Sequence, residues 1–376
     1  MFASLGAYGH LYPMMPLAVA CAGAGHDVVI ATGEPFLDRL PLTTVRGYPT
    51  SLTLGWAIRE TRRRHPDLHG DQFTTAMFAE VTPDVTVPAM IEQCEHARPD
   101  LVVFEGMHTG AGVAANVLGI PAAAFSIALE SDFYTALHAK TIDCQREAWL
   151  SHRRAMPASG LLARALITQV PPSLRQDDPS APELIPLRTV AYNEPGAQAP
   201  AWLTDPPVRP RIYLTLGTVS SVAVDVLARA LHELAGLDAD VLVALGPGGD
   251  ADALGVVPRN VHVERFVAQS EVLPRVDLIV HHGGTGTVLG ALEAGLPQLL
   301  LPQHADQFQN AALLTRARAA RALTDVLAHP GEVASMATAL LTHTAERSVA
   351  ERLRDEIAAM PPPQDVVVRL ERLTRQ

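Results

Sequence analysis

The sequence has little of what several functional classes depend on. Lysine occurs once in 376 residues and the net charge is −11. A nucleic acid is therefore not expected as the main partner, because phosphate backbones are bound through clustered cations. The three cysteines are scattered, fit no metal-ligand spacing and indicate buried free thiols in a reducing compartment. Since no apolar run approaches the roughly 20 residues that span a bilayer, we expect a cytoplasmic protein without a membrane span.

Common nucleotide-binding and metal-binding motifs are also lacking. The chain has no Walker motif, no zinc pattern and no nucleophile elbow, and neither half carries a complete G-x-G-x-x-G motif. The nearest match, from Gly6 to Gly9, lacks the third glycine, although Glu34 stands where a ribose-binding acid would be. A dehydrogenase is therefore disfavoured.

The segments that are present predict two α/β domains. Apolar residues make up 48% of the chain, and short apolar runs alternate with helical segments in both halves. This alternation is typical of parallel sheets with helices on both faces. Ten of the thirty prolines lie in residues 171–210, which predicts an extended connection there. We place an N-terminal domain at 1–194, a proline-rich linker at 195–210, a second domain at 211–360 and a C-terminal helix at 361–376.

Four candidate functional residues follow predicted strands. His10, Glu105, Thr218 and His282 fall at strand carboxyl ends, where open parallel sheets bind ligands. His10 is a candidate general base, because a neutral imidazole accepts a proton from an attacking hydroxyl. Glu105 is a candidate partner that fixes the tautomer of this imidazole. The alternative is that His10 caps a loop and that Glu105 is a solvated residue.

The run from His281 to Thr287 predicts a phosphate site. It forms a turn between a predicted strand and a predicted helix, where free backbone N–H groups and the helix dipole attract an anion. His282, Gly284, Gly286 and Thr287 are the proposed clamp for a diphosphate leaving group, and no metal is needed. The alternative is an ordinary glycine-rich turn, and His281 is expected to be structural.

A polar segment after the next strand suits a sugar. Asp306 offers a carboxylate that only accepts hydrogen bonds, and Gln307 offers an amide that donates and accepts. Both groups can bind sugar hydroxyls. Alternatively, Asp306 is the N-cap of the helix that begins near Gln307.

Together these segments resemble the family 1 glycosyltransferases of the GT-B fold, specifically the bacterial enzymes that glycosylate antibiotics and other natural products. The matching segments are 6–13, 215–218, 265–269, 281–287 and 302–311. The resemblance implies two Rossmann-like α/β domains whose parallel sheets face each other across a cleft. It further implies that residues 1–194 bind the acceptor, that residues 211–360 bind the nucleotide sugar, and that the helix at 361–376 returns to the N-terminal domain.

The resemblance also implies a reaction. It is an inverting, metal-independent transfer of a deoxysugar from a nucleotide diphosphate, commonly dTDP, to a hydroxyl of a hydrophobic aglycone. No cofactor is implied besides this donor. His10 matches the family's general base, and Glu105 matches its carboxylate partner, although the family more often has Asp there. Phe266, Val267 and Gln269 match the segment that holds the nucleobase.

The remaining donor contacts are implied in the same way. His282, Gly286 and Thr287 match the diphosphate site, and Asp306 and Gln307 match the sugar-hydroxyl site. Because a deoxysugar lacks some hydroxyls, the last two roles are only partly used.

The acceptor is expected against the N-terminal domain. Segments 50–95 and 125–160 carry large apolar side chains that line an acceptor pocket or form ordinary core, namely Trp56, Phe73, Met77, Phe78, Phe133, Tyr134 and Trp149. Residues 41–98 are otherwise expected to form helices and loops over the first sheet. The opening of the chain and residues 33–36 also resemble enzymes of enediyne biosynthesis.

Two other functions of the same fold remain open from the sequence. One is a nucleotide-sugar epimerase, which needs no acceptor cavity. The other is a non-catalytic auxiliary protein that activates another transferase. The expected partners are a nucleotide sugar and a hydrophobic aglycone, and a homodimer is compatible with this prediction.

Overall fold

A computed structural model describes most of the chain. The described residues are 1–41, 43–50, 53–130, 132–157, 160–175, 183–194, 196–217, 224–246, 249–251, 254–342 and 345–375. Contacts divide the chain into two compact units. Unit 1 comprises Met1–Val170, Arg175–Arg188 and Met360–Gln376, and unit 2 comprises Pro171–Leu174 and Thr189–Ala359.

Unit 1 contains a seven-stranded parallel sheet. Its strands are β1 (Phe2–Ala3), β2 (Val29–Thr32), β3 (Arg46–Pro49), β4 (Val102–Glu105), β5 (Ala122–Phe125), β6 (Ala165–Thr168) and β7 (Glu183–Pro186). The spatial order is β3-β2-β1-β4-β5-β6-β7, and every neighbouring pair is parallel. The chain order therefore reverses between β1 and β4. Such a switch point opens a crevice at the carboxyl ends of the two strands.

Helices cover the sheet of unit 1. They are α1 (Tyr8–Leu11), α2 (Met15–Gly23), α3 (Leu54–Arg64), α4 (Gly70–Ala76), α5 (Thr82–Ala97), α6 (Thr109–Leu118), α7 (Asp132–Cys144) and α8 (Arg146–Ser151). A π-helical turn, Met77–Val81, joins α4 to α5. The central strands are buried throughout, because helices pack on both faces of a parallel sheet.

Unit 2 repeats this architecture with six parallel strands. They are β8 (Arg211–Thr215), β9 (Asp240–Ala244), β10 (Val261–Glu264), β11 (Leu278–His281), β12 (Gln298–Leu300) and β13 (Ala320–Ala322). The spatial order is β10-β9-β8-β11-β12-β13, and all pairs are parallel. The switch point of this sheet lies between β8 and β11.

The strands of unit 2 divide their side chains between two cores. Its helices are α9 (Val224–Ala235), α10 (Gln269–Val272), α11 (Thr285–Glu293), α12 (Gln307–Arg316), α13 (Glu332–Leu341) and α14 (Ala345–Ala359). Ile212 and Leu214 pack with residues of α9 and α13. Tyr213, between them in sequence, packs with Val272 and Ala291 on the other side. This alternation follows from the two-residue period of a strand.

The last helix, α15 (Pro363–Leu373), belongs to unit 1, where it packs on α2 and β7. Pro363 lies in its first turn, where proline is tolerated because the first N–H groups have no intrahelical partner. Within the described residues, no helix is both long enough and apolar enough to cross a membrane.

The prediction of an α/β chain with two parallel sheets is confirmed. Two other predictions from the sequence were wrong. Residues 41–98 contain β3 as well as helices and loops. Of the three free thiols, Cys21 and Cys94 are buried, but Cys144 is exposed at the end of α7.

Candidate active site

His10 and Glu105 meet at the switch point of unit 1. His10 lies on α1, which follows β1, and Glu105 is the last residue of the adjacent strand β4. The Nδ1 atom of His10 is 2.8 Å from Oε2 of Glu105. The His10 side chain is 12% exposed, and the Glu105 side chain is fully buried. The imidazole can therefore meet a ligand while its carboxylate partner cannot.

The backbone after β4 holds the second oxygen of Glu105. The N–H of Met107 donates to Oε1 at 2.7 Å, and the N–H of His108 donates to the Glu105 carbonyl at 2.6 Å. Both carboxylate oxygens thus have a partner. The alternative that Glu105 is a solvated residue is wrong, because the strand end buries it completely.

Apolar and imidazole groups surround this pair. The Phe78 ring, on the π-helical turn, lies 6.3 Å from the His10 ring. The backbone carbonyl of Phe78 accepts a hydrogen bond from the Thr109 hydroxyl at 2.6 Å. His108 and His138 are buried nearby. Burial lowers the pKa of His138 to about 4 and also lowers that of His108, so both imidazoles are neutral at pH 7.

His282 and Gly217 meet at the switch point of unit 2. Gly217 follows β8 and His282 follows the adjacent strand β11. Gly217 has a φ of +85°, a conformation that L side chains rarely adopt. The imidazole of His282 lies against the bare backbone of Gly217 and Gly284.

The two adjacent histidines have different surroundings. His281 is fully buried, its Nε2 lies 2.9 Å from Oε1 of Gln298, and its Nδ1 accepts the N–H of Gly283. It is structural, as the sequence predicted. Burial lowers the pKa of His281 to about 3, and burial followed by the charge of His304 lowers that of His282 to about 4. Nδ1 of His282 is buried without a hydrogen-bond partner among the described residues.

Helix α11 presents its N-terminus at this point. Gly284 is its N-cap in extended conformation, without a side-chain cap, and the first turn holds no acidic residue. Gly286 is exposed and has open space where a side chain would be. Thr287 is half-buried on the same turn. Free N–H groups and the positive end of the helix dipole make this turn suitable for an anion.

Asp306 ties the start of α11 to the start of α12. The Thr285 hydroxyl donates to Oδ2 of Asp306 at 2.9 Å, and the Asn310 amide donates to the same oxygen at 2.9 Å and to the Gly283 carbonyl at 2.9 Å. Within the described part of the chain, no hydrogen bond ends on Oδ1. Asp306 is the N-cap of α12 by position, yet its side chain makes no cap bond.

The Gln307 amide is bound by its own loop. Its Oε1 accepts the N–H groups of Gln303 and His304 at 2.8 Å and 3.2 Å. Its Nε2 lies 3.3 Å from Nδ1 of His304. Gln307 is buried, so it shapes the loop before α12 rather than presenting free polar atoms.

The three residues predicted to hold the nucleobase lie in different surroundings. Phe266 is 44% exposed just after β10, as a stacking surface requires, whereas the Val267 side chain is buried in the core. Gln269 is a side-chain partner of the buried Tyr213 hydroxyl. Thr218 lies outside the described residues.

Two residues of these sites had no predicted role. Gly217 shapes the contact with His282, and Asn310 binds three groups around Asp306. The spacing of Asp306 and Asn310, four residues on one helix face, was the available signal for the second.

Most of the large side chains expected near the acceptor are core. Tyr134 and Trp149 belong to the main core of unit 1, and Met77 and Phe78 form a smaller cluster against which Trp56 and Phe73 pack. The side chain of Phe133 lies outside the described part of the chain. Within that part, no three metal-binding side chains lie together.

Two family models match this chain. The N-terminal domain of the erythromycin biosynthesis protein CIII-like family matches residues 19–217, and the C-terminal domain of the same family matches residues 228–373. The chain belongs to this family.

Characterised relatives agree with this assignment. The chain is 33% identical to L-demethylnoviosyl transferase of Streptomyces niveus, covering 96% of this chain and 95% of the relative. It is 31% identical to TDP-daunosamine transferase DnrS of Streptomyces peucetius, covering 97% and 94%. The glycosyltransferase SnogD of Streptomyces nogalater superposes with a TM-score of 0.79 at 26% identity, covering 99% and 98%. The predictions of the GT-B fold and of a bacterial antibiotic glycosyltransferase are confirmed.

Proposed function

We propose that this glycosyltransferase moves a deoxysugar from a dTDP-linked donor to a hydroxyl of a hydrophobic natural-product aglycone, with inversion at the anomeric carbon. The observation that carries the proposal is the 2.8 Å contact between Nδ1 of His10 and Oε2 of Glu105. This contact leaves Nε2 of His10 to accept a proton, and the buried carboxylate stabilises the imidazolium that forms.

The proposed reaction is a single displacement. Nε2 of His10 takes the proton of the acceptor hydroxyl, and the acceptor oxygen attacks the anomeric carbon. The bond from that carbon to the diphosphate oxygen breaks on the opposite face, and dTDP leaves with the electron pair. The configuration at carbon inverts because bond formation and bond cleavage occur on opposite faces.

The start of α11 is the proposed diphosphate site. The N–H groups near Gly284, Gly286 and Thr287 stabilise the charge that develops on the leaving group. His282 contributes a neutral imidazole, because burial keeps its pKa at about 4 in the unliganded protein. The neutral imidazole donates a hydrogen bond to the diphosphate. The negative charge of the bound diphosphate then raises the pKa of His282.

The sugar site supports a donor with few hydroxyls. Gln307 uses its amide within its own loop, and Asp306 offers Oδ1 while Oδ2 holds Thr285 and Asn310. A deoxysugar suits such a site because it has fewer hydroxyls that need a hydrogen-bond partner from the protein. Phe266 is the proposed stacking surface for the thymine ring. The name of the relative DnrS specifies a TDP-linked sugar, which supports dTDP over UDP.

The donor is tested first. Calorimetric titration with dTDP, UDP and GDP should give the tightest binding for dTDP. Transfer from dTDP-L-rhamnose should then be followed by mass spectrometry with a panel of aglycones. Tylactone and 10-deoxymethynolide are included because relatives at 29% and 26% identity act on them by name. An enediyne aglycone belongs in the same panel, since the pathway remains a prediction.

Replacement of the base tests the mechanism. His10→Ala should lower transfer by about 10²–10⁴-fold and leave dTDP affinity unchanged. His69→Ala is the matched control, because His69 is an exposed histidine of unit 1 without a side-chain cap bond. Full turnover by His10→Ala would reject the base assignment. Donor consumption that does not depend on an added aglycone would instead favour an epimerase.

A further inference from the structure

Helix α7 contacts the backbone turn that follows Glu105. Nε2 of His138 lies 2.9 Å from the Gly106 carbonyl oxygen. The Tyr134 ring, one turn earlier on α7, lies over Gly106 so closely that a Cβ there would be 2.3 Å from Cε1 of Tyr134. The Tyr134 hydroxyl accepts the N–H of Ile127 at 2.8 Å, just after β5. One helix thus clamps the ends of β4 and β5.

The clamped carbonyl belongs to the peptide unit that holds Glu105. The Gly106 carbonyl and the Met107 N–H are the two ends of one planar trans peptide, so they point in opposite directions. His138 binds the carbonyl end, and the N–H end donates to Oε1 of Glu105 at 2.7 Å. Fixing one end of a rigid plane fixes the other.

We propose that His138 is a positioning residue that acts through the Gly106–Met107 peptide to aim the Glu105 carboxylate at His10. The contacts run from Nε2–H of His138 to the Gly106 carbonyl, from the Met107 N–H to Oε1, and from Oε2 to Nδ1 of His10. A hydrogen bond to the carbonyl also polarises the peptide, which strengthens its N–H as a donor.

Burial makes the orientation of Glu105 sensitive to the loss of any one of these hydrogen bonds. His138 and Glu105 are 1% and 0% exposed, so water does not readily replace a lost partner. An unpaired Gly106 carbonyl would favour rotation of the peptide toward another donor. That rotation would withdraw the N–H from Oε1 and release the carboxylate from its orientation toward His10. Nδ1 of His138 has no hydrogen-bond partner among the described residues, which is consistent with a neutral ring protonated at Nε2.

A matched pair of substitutions isolates the donated hydrogen bond. His138→Gln keeps a donor at the end of the side chain, and His138→Met has similar length and shape without one. We expect His138→Met to lower kcat about tenfold with the KM for the dTDP-sugar and the affinity for dTDP unchanged. His138→Gln should restore most of kcat. Equal kcat in the wild type and His138→Met would overturn the proposal.

A double-mutant cycle separates positioning from general destabilisation. If His138 acts through Glu105, His138→Met should have no further effect on kcat in the Glu105→Ala background, which lacks the carboxylate to be positioned. The same tenfold loss in both backgrounds would overturn the proposal. The inference rests on the proposed function, and His10→Ala keeps the two distinguishable. Activity retained by His10→Ala rejects the dyad itself, whereas an inactive His10→Ala with a normal His138→Met rejects only the inference.

The protonation state of His138 can also be measured in the wild-type protein, so that this test does not depend on whether a variant folds. The ¹⁵N chemical shifts of His138 at pH 7 should show a neutral ring with the proton on Nε2. A proton on Nδ1 would leave nothing to donate to the Gly106 carbonyl and would overturn the proposal.

Discussion

A side chain at Gly217 would overlap the imidazole of His282. An added Cβ would lie 2.8 Å from both Cε1 and Nε2 of that ring, and a Cβ at Gly284 would lie 2.5 Å from Nε2. Two stretches of bare backbone, one after β8 and one before α11, therefore enclose the imidazole. The position of His282 depends on both glycines.

Gly217→Ala should therefore weaken dTDP binding by moving His282. Alanine at a φ of +85° costs about 1–2 kcal/mol of unfolding free energy. The displaced imidazole should lower dTDP affinity about tenfold, the equivalent of one good hydrogen bond. Titration calorimetry and urea unfolding measure the two effects.

Gly331→Ala is the matched control for backbone strain. Gly331 has a φ of +87°, lies in unit 2 and has no atom within 4 Å of an added Cβ. It should lose similar stability and keep its dTDP affinity. A similar loss of affinity in both variants would show that strain, and not the imidazole, is responsible.

Gly286→Ala should separate ligand binding from folding. An added Cβ meets nothing within 4 Å and alanine favours a helix more than glycine does, so the unliganded protein should unfold at a temperature no lower than that of the wild type. If the diphosphate lies on the start of α11, the methyl group will occupy its space, and dTDP affinity should fall at least tenfold. Gly23→Ala, at the end of α2 and equally open, should likewise not lower the unfolding temperature and should leave dTDP affinity unchanged. Unaltered affinity in Gly286→Ala would place the phosphates elsewhere.

The sequence predicted the fold because its central strands are continuous apolar runs. The segments at β4, β8 and β11 are buried on both faces, and such short apolar runs bounded by turn residues favour strands over helices. The edge strand β3 was missed because Arg46–Pro49 reads RGYP. Its position in the sheet depends on pairing with β2, which no local pattern reveals.

The residue pairs that strand order brings together could be predicted from the sequence. His10 beside Glu105 and Gly217 beside His282 each join the ends of the two strands at a switch point, so strand order brings them together. The bonds of Gln307 within its loop were not predictable, because they depend on the local path of residues 303–306, where Ala305 adopts a φ of +55°. The burial of Glu105 required knowledge of what packs above the strand end.

Glu105→Asp should be poorly tolerated although both side chains are carboxylates. The longer side chain reaches the Met107 N–H and the His10 imidazole at 2.7 Å and 2.8 Å, and a side chain one methylene shorter cannot hold both. Losing one hydrogen bond to a buried charge costs about 1.5–3 kcal/mol, so kcat should fall about 10- to 100-fold. Glu105→Gln, which has the same length without the charge, shows how much of the loss is geometric. Wild-type kcat in Glu105→Asp would show that the reach of Glu105 is unimportant.

Histidines whose pKa is lowered by burial should make the protein less stable below neutral pH. Burial lowers the pKa of His138 and His282 to about 4 and that of His281 to about 3. In the unfolded chain these groups bind protons as the pH falls through about 6.5, whereas the native rings stay neutral until about pH 4. Between these values the unfolded state binds more protons, so the free energy of unfolding decreases as the pH falls. Each histidine contributes about 1.4 kcal/mol per pH unit to this slope.

His138→Gln isolates one of these contributions, because glutamine keeps a donor for the Gly106 carbonyl and does not titrate. Urea unfolding from pH 7 to pH 5 should give a slope for this variant that is about 1 kcal/mol per pH unit shallower than for the wild type. His69→Gln, at an exposed position, should leave the slope unchanged. Parallel slopes for His138→Gln and the wild type would mean that the native His138 ring takes up its proton as readily as a solvated one, which contradicts its burial among Phe104, Tyr134 and the β4–α6 turn.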